Sequence, residues 1–123
     1  MNQISNDNKW ITKVKINDND CLRFVFAGVL TQNQSLEACA EWTEIFNLDK
    51  GKKYTIIFNS IKLDNYEPLA RGVFQKTIKE LNNQIIKIWV VTDSKLISGG
   101  AAIMGMFTSF PIKSVTSEEQ ITT

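Results

Sequence analysis

Tyr54-Thr55-Ile56-Ile57-Phe58 is a short, almost unbroken apolar run. It is too short for a helix and apolar on both faces, which predicts a strand buried in a parallel sheet. Ile85-Ile86-Lys87-Ile88-Trp89-Val90-Val91 reads the same way. Two parallel strands need a crossover, and the segment between them predicts one. Pro68 suits the first turn of a helix. Leu69, Val73, Phe74, Ile78 and Leu81 recur on one side of that helix, and Asn82-Asn83 ends it.

Working back towards the N-terminus, Thr31 and Gln34 have capping-box spacing. They open a helix with Leu36, Ala38, Cys39, Trp42, Ile45 and Phe46 inward and Glu37, Glu41 and Glu44 outward. Before it, Leu22, Phe24 and Phe26 give one face of a strand, and Val25 and Ala27 predict cover on its other face too. Trp10, Thr12, Val14 and Ile16 alternate with Ile11, Lys13 and Lys15, the period of a strand with one buried face. Asn17-Asp18-Asn19-Asp20 joins the two as a hairpin turn, because Asn and Asp tolerate left-handed backbone. Residues 1–9 are polar and read as a frayed, flexible N-terminus.

Towards the C-terminus, Asp93-Ser94 caps a third helix from Leu96 to about Thr108, which Phe110-Pro111 breaks. Ile112 to Val115 is a last short strand. Thr116, three residues before Glu119, predicts a terminal helix. The order is β-β-α-β-α-β-α-β-α. It specifies an α/β fold in one domain, 10–123, with an opening antiparallel hairpin, then parallel strands, and helices packed on the sheet.

Composition narrows the function classes. The 123 residues are 43% hydrophobic and 22% charged, with a net charge of +1, so no global field draws in nucleic acid or an anionic membrane. There is no histidine, which removes the commonest general base and metal ligand. No dinucleotide, P-loop, hydrolase-elbow or EF-hand pattern is present, and no cofactor or metal is expected. Cys21 and Cys39 read as buried structural thiols. The weakly polar stretch from Ile97 to Phe110 is too short to span a bilayer, which takes about 20 residues. With no secretory signal, the expected compartment is the cytoplasm. Asp64, Tyr66, Asp93 and Ser94 are the polar groups an enzyme would use, but no nucleophile–base pair is visible among them.

Two segments stand out. Asn59 to Pro68 reads as a loop at the carboxyl end of a parallel strand, where α/β sheets place binding sites. Asp64 or Asn65 is expected to help cap the following helix. Ser98-Gly99-Gly100-Ala101-Ala102-Ile103-Met104-Gly105 puts three glycines in one helix, each costing about 1 kcal/mol relative to alanine. Close packing on the sheet, a partner surface, or a ligand pocket would each account for Gly99, Gly100 and Gly105.

The element order resembles the STAS domain family, named for sulphate transporters and anti-sigma factor antagonists. Ile56-Ile57-Phe58-Asn59-Ser60 followed by Leu63-Asp64-Asn65-Tyr66 matches its central stretch. The resemblance implies the STAS fold. It also implies that Asp64 fits the family's aspartate and that Asn65 stands where antagonists carry a phosphorylated serine. An amide accepts no phosphoryl group, and the following serine or threonine and glycine are missing. The chain therefore looks like a divergent, stand-alone STAS-like protein without the serine switch.

The first expectation for function is a non-enzymatic regulatory or protein-interaction module. Its surface is Ser60, Asp64, Asn65, Tyr66, Glu67 and Arg71, its partner a protein, and a homodimer is compatible with it. The alternative is a small-molecule or lipid-binding domain that uses the glycine-rich helix and strand ends bearing Tyr54, Phe58 and Trp89.

Overall fold

A computed structural model describes residues 10–122. The segment 1–9, read as frayed, lies outside the described residues, as does Thr123. The strands are β1 (Ile11–Ile16), β2 (Asn19–Leu30), β3 (Tyr54–Tyr66), β4 (Ile85–Val91) and β5 (Ile112–Val115). The helices are α1 (Gln32–Leu48), α2 (Pro68–Glu80) and α3 (Lys95–Gly105), with single 3-10 turns at Asn82–Gln84 and Glu118–Gln120. The sheet order is β1-β2-β3-β4-β5, with β1 antiparallel to β2 and every other pair parallel. Among the described residues, no helix is long and apolar enough to cross a membrane.

The hairpin turns on Asn17 and Asp18, at φ 52° and 67°. Two consecutive left-handed residues are what a two-residue hairpin turn requires. The remaining strands are added one after another in the same direction. Right-handed crossovers then leave all their helices on one face. The core agrees: Trp42 and Phe46 of α1, Phe74 and Ile78 of α2, and Ile97 and Ala101 of α3 share one buried cluster. At its centre, the Phe24 ring lies 5.1 Å from Phe58 and 5.2 Å from Trp42, both edge-on.

The opposite face holds a smaller cluster of Cys21, Ile57, Trp89 and Val91, covered by Ile121. Glu118 fixes the covering segment through a 2.8 Å ion pair with Arg23 and a hydrogen bond from the Asn59 amide. Cover on both faces of β2 is therefore partial: Cys21 is buried, while Ala27 and Val29 are exposed. The sheet separates Cys21 from Cys39, and both are free thiols. Burial pushes the Cys39 thiol up to about 11, against a hydrogen bond with Thr77. That is the state of an inert core cysteine.

At the end of α1, Asp49 accepts hydrogen bonds from the Tyr54 hydroxyl at 2.6 Å and the Lys13 ammonium at 3.0 Å. These two donors hold its carboxyl below the usual carboxylate range. The Gln84 amide donates to the carbonyls of Phe46, Asp49 and Lys52, satisfying one group the helix end leaves orphaned and tying down the turn after it.

Several local expectations are corrected. In β1 the alternation holds, with Val14 and Ile16 half-buried on the smaller cluster and Lys13 and Lys15 exposed, but Ile11, read with the lysines, is buried at 1% exposure on the helix side. Leu36 and Leu69 are exposed. Each is one position off its stripe, because Ser35-Ala38-Cys39-Trp42-Phe46 and Ala70-Phe74-Thr77-Ile78 make the inward faces. Asn59 to Tyr66 is not a loop. Strand β3 continues through it because β2 continues beside it, with Val29 opposite Asn65 and Leu30 opposite Tyr66. Ladder pairing here overrides the turn preference of Asp and Asn.

Asp64 and Asn65 accordingly do not cap α2. Its N-cap is Glu67, which makes no side-chain cap bond. The Glu67 carboxylate instead accepts from the Gln32 N–H at 2.7 Å, at the start of α1. Helix α3 ends at Gly105 rather than near Thr108. The expected terminal helix is one 3-10 turn, whose capping box pairs Ser117 with Gln120 rather than Thr116 with Glu119.

Candidate functional site

Helix α1 packs along α2, while α3 leans on β5 and stands off α2. Small residues along α3 leave the space between α2 and α3 unfilled. The result is an apolar cleft of about 100 Å³. Its floor is Phe58, Ile88 and Val90 of the sheet. Arg71 and Phe74 of α2 form one wall, and Ile97, Gly100, Ala101 and Met104 of α3 form the other. Leu30, Ser60, Leu63 and Tyr66 close one end.

The extended β3 supplies that end. Among the described residues, β1 pairs with β2 only as far as Phe24, and β4 with β3 only as far as Asn59. Beyond those points β2 and β3 run on as a two-stranded ribbon. Its inner side carries Leu30, Ser60, Leu63 and Tyr66 to the cleft, and its outer side shows Val29, Ile61, Lys62, Asp64 and Asn65 to solvent.

Three polar side chains meet the apolar lining. Arg71 is half-buried, is the one charged residue of the lining, and has no side-chain partner among the described residues. The Tyr66 hydroxyl also has none. Ser60 is buried at 4% exposure, and its hydroxyl reaches the Phe58 carbonyl only at 3.5 Å. The lining is mostly carbon, with a few convergent polar groups.

A second cleft of about 540 Å³ continues from it, between α2 and the turn that follows α3. Gln75, Ile78 and Lys79 face Phe107 and Phe110 across it, and Met104 lines both clefts.

The three glycines now separate. A Cβ on Gly105 would stand 3.4 Å from the Ile112 side chain, so it answers to packing on β5. A Cβ on Gly100 would stand 3.3 Å from the Tyr66 hydroxyl, on the cleft. Nothing lies within 4 Å of a Cβ on Gly99. Gly99→Ala is thus expected to raise unfolding free energy by about 1 kcal/mol, the helix-propensity difference. Gly100→Ala is expected to gain less, because its methyl displaces Tyr66. Paired urea melts check this; equal gains at both positions would mean that Tyr66 does not sit against α3.

Of the residues singled out in the sequence, the structure brings Ser60, Tyr66, Arg71 and Gly100 together at the cleft. Asp64, Asn65 and Glu67 point away from it. The Asn65 side chain accepts from the Tyr66 N–H at 2.8 Å, within the strand end. Trp89 lies on the other face of the sheet, and Tyr54 stacks on Phe46 at 5.3 Å, so of the three aromatics expected at a pocket only Phe58 lines it. Ser94 caps α3, as read, accepting from the Ile97 N–H. Sequence reasoning did not place Phe74 and Ile97 at the site.

No family model matches the chain, and no curated protein matches it. Among solved structures it is similar to an uncharacterized protein of the DUF3478 family from Shewanella loihica PV-4, described as having a SpoIIAA-like fold. The TM-score is 0.75 at 15% identity, covering 89% of this chain and 86% of that one. This likeness shows the fold: a SpoIIAA-like architecture, the one the resemblance to STAS domains implies.

Proposed function

We propose that this chain is a non-enzymatic binding module of the cytoplasm whose principal site is the apolar cleft between α2 and α3. The observation that carries the reading is the cleft itself, carbon-lined and open to solvent, with a guanidinium and a phenol at its rim that have no partner among the described residues. A packing defect would have no reason to gather the Arg71, Tyr66 and Ser60 side chains. Regulation in such a module follows occupancy of the cleft rather than a phosphoserine at position 65, since Asn65 carries no hydroxyl.

The test is a titration with octan-1-ol, followed through side-chain methyl resonances. Shifts are expected at Ile88, Ile97, Ile112 and Met104, which line the cleft, and not at Ile57 or Ile121 on the opposite face. Shifts spread over both faces would mean nonspecific partitioning.

The ribbon favours a second reading, contact with a protein or with another copy of this chain. It projects past its neighbours and exposes Val29 and Ile61 beside Lys62 and Asp64. An octan-1-ol titration that moves no methyl would leave the ribbon as the better candidate surface.

A further inference from the structure

We propose that the cleft takes a single-chain anionic amphiphile, its head on Arg71 and Tyr66 and its tail running between α2 and α3 past Met104. This rests on the cleft being a ligand site.

The head is argued from charge. Arg71 is the sole charged residue of the lining and has no anionic partner among the described residues. A guanidinium offers five donors in a planar fork, which suits a carboxylate or phosphate. Half-buried against apolar walls, it gains most from an anion that brings its own apolar body. The unpartnered Tyr66 hydroxyl lines the same cleft, so it adds a second donor for the head. Carboxylate and phosphate heads share this chemistry, and the test below separates them.

The tail is argued from shape. The cleft measures about 100 Å³. An apolar cavity of about 150 Å³ takes one benzene, so this smaller chamber admits a single alkyl chain and holds only its first few carbons. It does not end blindly, because the second cleft shares Met104 with it and continues between Ile78 and Phe107. Met104 is only half-buried, and methionine's unbranched side chain swings aside easily. A chain longer than the first chamber therefore has a path onward under Met104.

The experiment titrates the full chain with decanoate, decyl phosphate and decan-1-ol, each below its micelle-forming concentration, and reads cleft methyl resonances. At least one anion is expected to bind about tenfold tighter than decan-1-ol, the scale of one charge-assisted contact. The tighter anion names the head. Arg71→Gln is expected to erase that preference, so that within the variant the anions bind no tighter than decan-1-ol. Equal affinities in the wild type, or a preference that survives Arg71→Gln, overturns the head assignment and leaves the cleft reading intact. Binding of none of the three overturns the cleft reading itself.

For the tail, hexanoate and decanoate are compared. Wild-type affinity is expected to rise up to roughly fourfold per added methylene. Met104→Trp, with Met104→Phe as a second blocking variant, is expected to lose most of decanoate's advantage over hexanoate, the two being compared within each variant. An undiminished advantage in a folded blocking variant overturns the path past Met104.

Discussion

Phe24→Ala is expected to lower unfolding free energy by about 3–5 kcal/mol. Phe24 has 0% exposure and sits where α1, α2 and two strands converge. Its ring meets Phe26, Trp42, Phe58 and Phe74 at 6.0, 5.2, 5.1 and 6.2 Å. Truncation removes the transfer free energy of the ring and strips one partner from four others at once. The neighbours are themselves large and interlocked, so the site collapses poorly and the cavity penalty is retained. Domains of this size hold about 5–15 kcal/mol in total, so the variant is expected to unfold at much lower urea. Phe107→Ala is the control. Phe107 is 82% exposed, and its removal is expected to stay within about 0.5 kcal/mol. A Phe24→Ala loss below about 1.5 kcal/mol would mean that the five rings do not pack as one centre.

Much of this architecture is legible in the residues. The runs from Tyr54 and Ile85 are too apolar for anything but buried strands. Thr31 with Gln34, Pro68 and Ser94 each mark a helix start by a local hydrogen-bonding or backbone rule, and each lies where that rule puts it. What is not legible depends on neighbours distant in sequence. Asp64 and Asn65 have the composition of a turn, and only the presence of Val29 and Leu30 alongside keeps them in a strand. Glu67 stands next to α2 in sequence but serves α1, across 35 positions.

The cleft has the same origin. Gly100 and Ala101 announce that α3 is thin, yet thinness alone fits close packing as well as a void. The difference arises because α3 is drawn towards β5, where Gly105 meets Ile112, and so away from α2. The side chains left without a hydrogen-bonding partner among the described residues then include Arg71 and Tyr66. Both carry polar ends, which is what turns a gap into a candidate site.

Ala101→Leu sets stability against binding in a single substitution. Ala101 is 9% exposed on the inner face of α3 and lines the cleft. Leucine adds three carbons there with nearly alanine's helix propensity. In a real void those carbons find new contacts, so stability is expected to rise by about 0.5–2 kcal/mol, or a few degrees in Tm. The same carbons occupy the space of three or four ligand methylenes. At roughly fourfold each, decanoate affinity is expected to fall about a hundredfold. Opposite signs from one residue are what a ligand cleft requires, because the volume that binding uses is volume the empty fold would be steadier without. A rise in Tm with decanoate affinity unchanged would place the ligand elsewhere. A fall of more than about 1 kcal/mol would mean that α2 and α3 already close on each other and that the space is not free for a ligand.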